Sequence, residues 1–189
     1  MPDPTLVKQD GSNPVGANSY ADVADADAYM NGRPYGGTEW AAKSAGDKAR
    51  CLITATLMID AMFAFSGYRT EPLQPLQWPR IYANNPDAPI HATRNALAGY
   101  SDRYFAYNEI PIDLVRATCE QAIQLALSDL TSGAANAGLS EVEIFQAVRV
   151  KFSAFGENSP PIPSLVQQML SRLGSYQSGG SGQAKLVRT

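Results

Sequence analysis

Histidine occurs once in this 189-residue chain and cysteine twice, and charged residues make up only 17% of it. His91 has no second histidine, cysteine or close carboxylate pair around it in the sequence. That argues against a catalytic triad, a His-rich metal site or a single acid/base residue. The GxSxG, HExxH, P-loop and dinucleotide fingerprints are all missing. The chain is therefore expected not to be an enzyme, with no catalytic residue, no cofactor and no metal. Cys51 and Cys119 each fall in an apolar helical pattern without CxxC spacing, and they read as plain buried thiols. No apolar run approaches the roughly 20 residues of a membrane helix, and MPDPTLVKQDG lacks the charged and apolar regions of a signal peptide. The protein is expected to stay in the cytoplasm where it is made, with no membrane partner. Positive charge is also sparse: 15 Lys and Arg stand against 18 Asp and Glu, and no basic block precedes the last few residues. A protein that grips many phosphates needs clustered cations, so bulk nucleic-acid binding is disfavoured.

What the chain does have is apolar periodicity. Between Ile110 and Leu130, the residues Ile112, Val115, Cys119, Ala122, Ile123, Ala126, Leu127 and Leu130 recur at helical spacing on one face, and Asp113, Glu120, Gln121, Gln124 and Ser128 lie opposite. Pro111 suits the start of such a helix, and Thr131-Ser132-Gly133 suits its end. Leu114 and Leu125 lie off the main stripe beside Thr118 and form a second apolar strip that predicts a partner surface.

Upstream, residues 1–18 are rich in Pro, Gly, Asn and Asp and read as an arm that packs on something else. Asp22 with Asp25 forms a capping pair ahead of a helix that ends at Gly32. The carboxylates Asp22, Asp25 and Asp27 fit a helix N-terminus better than a metal cluster. Thr38-Glu39-Trp40 opens a short helix. Ser44 with Asp47 caps a longer one, through KARCLITATLMIDAMFAF to Gly67. That helix is apolar nearly all round, which requires cover on all sides from its own domain or from a neighbouring subunit. Its lone Asp60 predicts an ion pair with Arg69 or Arg80.

Pro72, Pro75 and Pro79 stiffen EPLQPLQWPR into a surface strap anchored by Trp78, with Trp78, Pro79 and Arg80 expected at an interface. Residues 81–108 form a long loop holding Arg94, Tyr100, Arg103 and Tyr104 with Tyr82, Phe105 and Tyr107. These groups match the stacking and phosphate-pairing side chains of single-strand binders, and equally a protein interface, which is the preferred reading. After the small-residue TSGAANAG stretch, Val142, Ile144, Val148, Val150 and Phe152 alternate with polar residues as in a β-hairpin. Ser164 is placed to cap a last helix to Gly174. Beyond it a Gly/Ser tether ends in Lys185, Leu186, Val187 and Arg188, an apolar and basic tip suited to docking.

These readings predict a mainly α fold: a small helical bundle with a β-hairpin and extended N- and C-terminal arms. Its parts are an arm over 1–18, a helical domain over 19–174 that includes the 81–108 loop and a 141–155 hairpin, and a flexible docking arm over 175–189.

Several segments together resemble a family of tailed-bacteriophage proteins. They are Asn18-Ser19-Tyr20, Ala26-Asp27-Ala28-Tyr29, Trp40, Ala55-Thr56 with Ile59-Asp60, Leu76-Gln77-Trp78-Pro79-Arg80, Ile110-Pro111, Ala117-Thr118-Cys119-Glu120, Val148-Arg149-Val150-Lys151-Phe152 and Leu186-Val187-Arg188. Members are often labelled DnaT-like single-strand-binding proteins, and their architecture resembles that of head-to-tail adaptors. The resemblance implies a structural virion protein of the neck between head and tail: a homo-oligomeric ring, usually dodecameric, joining the portal protein to a tail terminator or stopper. Viral DNA would pass through its lumen without specific binding, and the C-terminal arm would dock on the portal. The alternative is a DnaT-like single-stranded-DNA-binding protein that uses Arg94, Arg103 and the loop tyrosines.

Overall fold

The structure is a computed structural model and describes residues 3–88, 103–127, 141–144, 148–151 and 161–177. Among these residues five helices run in chain order as α1 (Val23–Asn31), α2 (Gly37–Ala41), α3 (Ala45–Met62), α4 (Ile112–Leu127) and α5 (Ser164–Leu170). Six short strands, β1 (Phe63–Phe65), β2 (Tyr68–Arg69), β3 (Arg80–Ile81), β4 (Glu141–Ile144), β5 (Val148–Lys151) and β6 (Gly174–Tyr176), form the antiparallel pairs β1–β6, β2–β3 and β4–β5. Helices dominate, and β4–β5 supplies the hairpin ladder, with Glu141 opposite Lys151 and Ile144 opposite Val148.

Local chemistry explains the helix starts. Asp22 accepts the Asp25 N–H while the Asp25 carboxylate accepts the Asp22 N–H, a reciprocal cap that satisfies two otherwise orphan donors of α1. Asp27 serves a different purpose, accepting from Trp40 Nε1 at 2.7 Å and Lys48 Nζ at 2.8 Å. The acidic trio is thus structural, and no metal-holding cluster occurs among the described residues. Ser44 Oγ accepts from the Asp47 N–H and so caps α3. At α5 the N-cap is Pro163, without a side-chain bond, where Ser164 was expected.

The N-terminal arm folds back on itself and packs Leu6, Val7 and Ala17 on the core. Gln9 N–H donates to Ser19 O at 2.7 Å, Asn18 N–H to Val7 O at 2.9 Å, and the Asn18 side-chain oxygen accepts from Val7 N–H.

Two hydrophobic clusters share α3 and α4. One joins Tyr20, Ile59, Phe63, Phe65, Trp78, Phe105, Leu114 and Ala117 to Ile162, Val166, Leu170 and Leu173. The other packs α1 and α2 against the opposite side through Ala21, Ala26, Met30, Trp40, Leu52, Ala55, Cys119, Ala122, Ile123 and Ala126. Small residues predominate there, so the helix backbones can approach closely.

Three expectations are corrected. The helix expected to continue through Phe63-Ala64-Phe65 stops at Met62. The next three residues alternate buried, exposed, buried and pair with Gly174–Tyr176, where Gly174 lies so close to Ala64 that a Cβ would sit 2.4 Å from its carbonyl oxygen. Leu114 is not left for a partner subunit, being fully buried with the α5 residues, while the half-buried Leu125 lies apart from it against the second cluster. Trp78, Pro79 and Arg80 do not form a surface strap. All three are buried, and the Trp78 ring packs edge-on against Phe65 and Phe105 at 6.0 and 5.6 Å.

Candidate nucleic-acid interface

The buried Trp78-Pro79-Arg80 segment builds a surface next to it. Arg80 donates from Nε to Ser66 O, from Nη1 to Gln77 O and Oε1, and from Nη2 to Gly67 O and Phe65 O, at 2.6–3.3 Å. Burial lowers its pKa from the ordinary guanidinium value. Five oxygens hold its charge in place and tie the 65–67 turn to the strap. Gly67 adopts φ +72°, and a Cβ there would lie 2.3 Å from Ile81 O and 2.6 Å from Ala83 N, so only glycine allows this approach.

The chain leaves β3 through Tyr82, whose φ of +56° is left-handed. For a bulky side chain that costs on the order of 1–2 kcal/mol, strain that the surrounding contacts must hold. Residues 83–85 then pair with 103–105: Phe105 N–H donates to Ala83 O at 3.0 Å, Asn85 N–H to Arg103 O at 2.9 Å, and Asn84 bridges Tyr104. Thr70 Oγ1 donates to Tyr107 O at 2.9 Å.

The β2–β3 pair, the Thr70–Tyr107 bond and this short ladder together place four tyrosines from three stretches of sequence on adjoining backbone. Tyr68, Tyr82 and Tyr107 are 70%, 58% and 58% exposed, and Tyr104 is half-buried. The Tyr82 and Tyr104 rings meet at 5.7 Å and 87°, forming an aromatic corner. Ala83 and Phe105, between the outward residues, turn into the Trp78 cluster and anchor the ladder. Arg69 and Arg103 are exposed beside it, as are Glu71 and Glu109. Chemically this ledge offers π-faces with little net charge. Among the described residues it holds no cluster of carboxylates that could bind a metal ion.

A second concavity runs along the strap and shares Arg69 with the ledge. It is a groove of about 400 Å³ lined by Ala17, Asn18, Ile53, Leu57, Asp60 and Arg69 together with residues 75–77. Asp60 accepts from Tyr20 OH at 2.6 Å and Gln77 N–H at 2.9 Å, and Tyr20 OH in turn accepts from Trp78 N–H at 3.1 Å. Burial pushes its carboxyl up to about 6, against the opposing pull of those hydrogen bonds and of Arg69 and Arg80. The ion pair expected with Arg69 or Arg80 does not form; neutral donors hold the carboxylate instead.

A family model described as "Putative DnaT-like ssDNA binding protein" matches residues 4–189. The chain belongs to that family. No curated protein and no solved structure matches it. The match overturns the head-to-tail adaptor reading, because the family is described by single-strand DNA binding, which the sequence reading had ranked second. The virion-connector role falls with it.

Within this member of the DnaT-like family, the predicted site residues fare unequally. Arg103 and Tyr104 lie on the ledge. Trp78, Pro79, Arg80 and Leu114 are buried and support the fold, whereas Leu125 is half-buried. Arg94 and Tyr100, and the tip residues Lys185, Leu186, Val187 and Arg188, lie outside the described residues. Tyr68 escaped sequence reasoning because it sits in a two-residue strand next to a glycine turn. Its only signal was an aromatic followed by Arg69.

Proposed function

We propose that this protein binds single-stranded DNA without catalysing a reaction on it, stacking bases on Tyr68, Tyr82, Tyr104 and Tyr107 while Arg69 and Arg103 meet phosphates. The observation that carries this reading is the tyrosine ledge: three exposed rings and the half-buried Tyr104, on backbone anchored by the buried Ala83 and Phe105, with Tyr82 and Tyr104 set at a corner that a flat base can enter. The description of the family supports the same ligand. Stacking a base on an aromatic side chain contributes about 1–3 kcal/mol, so a few such contacts give useful affinity without a basic groove.

The test is fluorescence anisotropy of a labelled oligonucleotide titrated with the full chain and with Tyr82→Asn. Asparagine tolerates the left-handed backbone while removing the ring. Binding that weakens roughly 5-fold or more in the variant supports the ledge, in line with one lost stacking contact. Equal affinity in the two proteins rejects it.

A further inference from the structure

Resting on that reading, we infer that the ledge selects unpaired purines through their bases and draws only a minor part of its affinity from the phosphate backbone. The first reason is electrostatic. Of the cations near the ladder, Arg80 is buried and engaged by five protein oxygens. Arg69 donates to Gln77 Oε1 at 3.3 Å. Glu71 and Glu109 are exposed on the same stretches as Arg69 and Arg103. Among the described residues, Arg69 and Arg103 are the exposed arginines at the ledge, and two arginines neutralise about two phosphates. For a single strand that corresponds to a slope of log affinity against log salt of roughly −1 to −2, far shallower than that of a backbone-gripping protein.

The second reason is shape. Rings at 87° to one another form two walls of a corner. A base laid flat on one wall turns its edge to the other, and the two fused rings of a purine cover more of the wall than one pyrimidine ring does. In a duplex those faces are stacked on their neighbours and cannot enter the corner.

The decisive experiment compares three labelled strands of about 20 nucleotides, one of adenines, one of thymines and one abasic, each titrated with the full chain at about 50 and about 200 mM salt. The expected result is tightest binding to the adenine strand, several-fold weaker binding to thymine, more than tenfold weaker binding to the abasic strand, and a salt slope shallower than about −2. Tyr82→Asn and, separately, Tyr107→Ser should reduce the adenine preference. Circular dichroism of each variant reports whether it is folded, and Tyr107, exposed and outside the ladder's pairing, keeps the test valid should Tyr82→Asn unfold. Equal binding to all three strands with a slope of about −4 or steeper would overturn the purine inference while leaving single-strand binding intact. Failure to bind any strand would overturn both.

Discussion

Two carboxylates, the buried Glu120 beside one hydrophobic cluster and the half-buried Asp60 beside the other, solve the same problem differently. Glu120 is almost fully enclosed and takes Arg33 Nη2 at 3.1 Å, Tyr29 OH at 3.0 Å and Gln124 Nε2 at 3.0 Å. Asp60 takes only a hydroxyl and a backbone N–H, and no cation reaches it within salt-bridge distance among the described residues. A charge matched by a guanidinium binds α4 to α1 and the turn after it. A charge matched only by neutral donors retains a large desolvation cost, and its carboxyl titrates at about 6. The half of the molecule around Glu120 is thus fastened by an ion pair and two further hydrogen bonds. The half around Asp60, which carries the strap and the tyrosine ledge, is fastened by a group near its titration point.

The comparison breaks most visibly at Glu120. Replacing it with alanine strands the largely buried Arg33 guanidinium and the Tyr29 hydroxyl, and should cost about 3 kcal/mol, the lower end for a broken buried pair because Arg33 is partly exposed. Urea denaturation at neutral pH measures it, and a loss below about 1 kcal/mol would contradict the pairing.

The next effect is the pH dependence set by Asp60. Its carboxyl is raised from 3.8 to about 6 on folding, so the folded chain holds a proton there that the unfolded chain releases. The associated stability is fully present below about pH 4 and is lost as pH rises through about 6, a change of at most about 3 kcal/mol. Asp60→Asn should flatten that portion of the stability profile, whereas Glu120→Gln should leave it in place. A profile identical in wild type and Asp60→Asn would remove Asp60 from the account.

A smaller effect sharpens the division between the halves. Gly67→Ala forces a Cβ into the Ile81–Ala83 backbone at a left-handed position and should cost about 2 kcal/mol. It should also weaken oligonucleotide binding measurably at temperatures where the variant remains folded. Glu120→Gln should leave binding within twofold, because Glu120 lies in the other cluster. Similar binding losses in both variants would argue against a ledge supported locally.

Much of the helical frame is legible from the sequence because its causes are local. The Asp22–Asp25 and Ser44–Asp47 caps span three residues, and the α4 stripe repeats every turn. What escapes such a reading depends on distant partners. Phe63-Ala64-Phe65 continues the helical apolar pattern, and only Gly174–Tyr176 converts it into a strand. Leu114 looks unpartnered until α5 covers it. Asp60 pairs with Tyr20 and Gln77 rather than with the arginines that proximity in sequence suggests. In the candidate site, Arg103 and Tyr104 were apparent as an aromatic and basic composition, but the meeting of Tyr68 with residues 82–107 is made by pairings across β2 and β3. The proline-rich strap misleads for a related reason: stiff, extended backbone is compatible with the surface, yet two of its bulkiest groups are swallowed by the core.

The β1–β6 pairing sets a schedule for the chain's birth. Phe63 and Phe65 emerge from the ribosome long before Gly174–Tyr176, their pairing partners, and before the α5 side chains that seal them. At about 10 residues per second, a nascent chain carries those rings uncovered for roughly ten seconds. During that interval the tryptophan-centred half cannot close, while the alanine-rich half still needs only α4 to assemble.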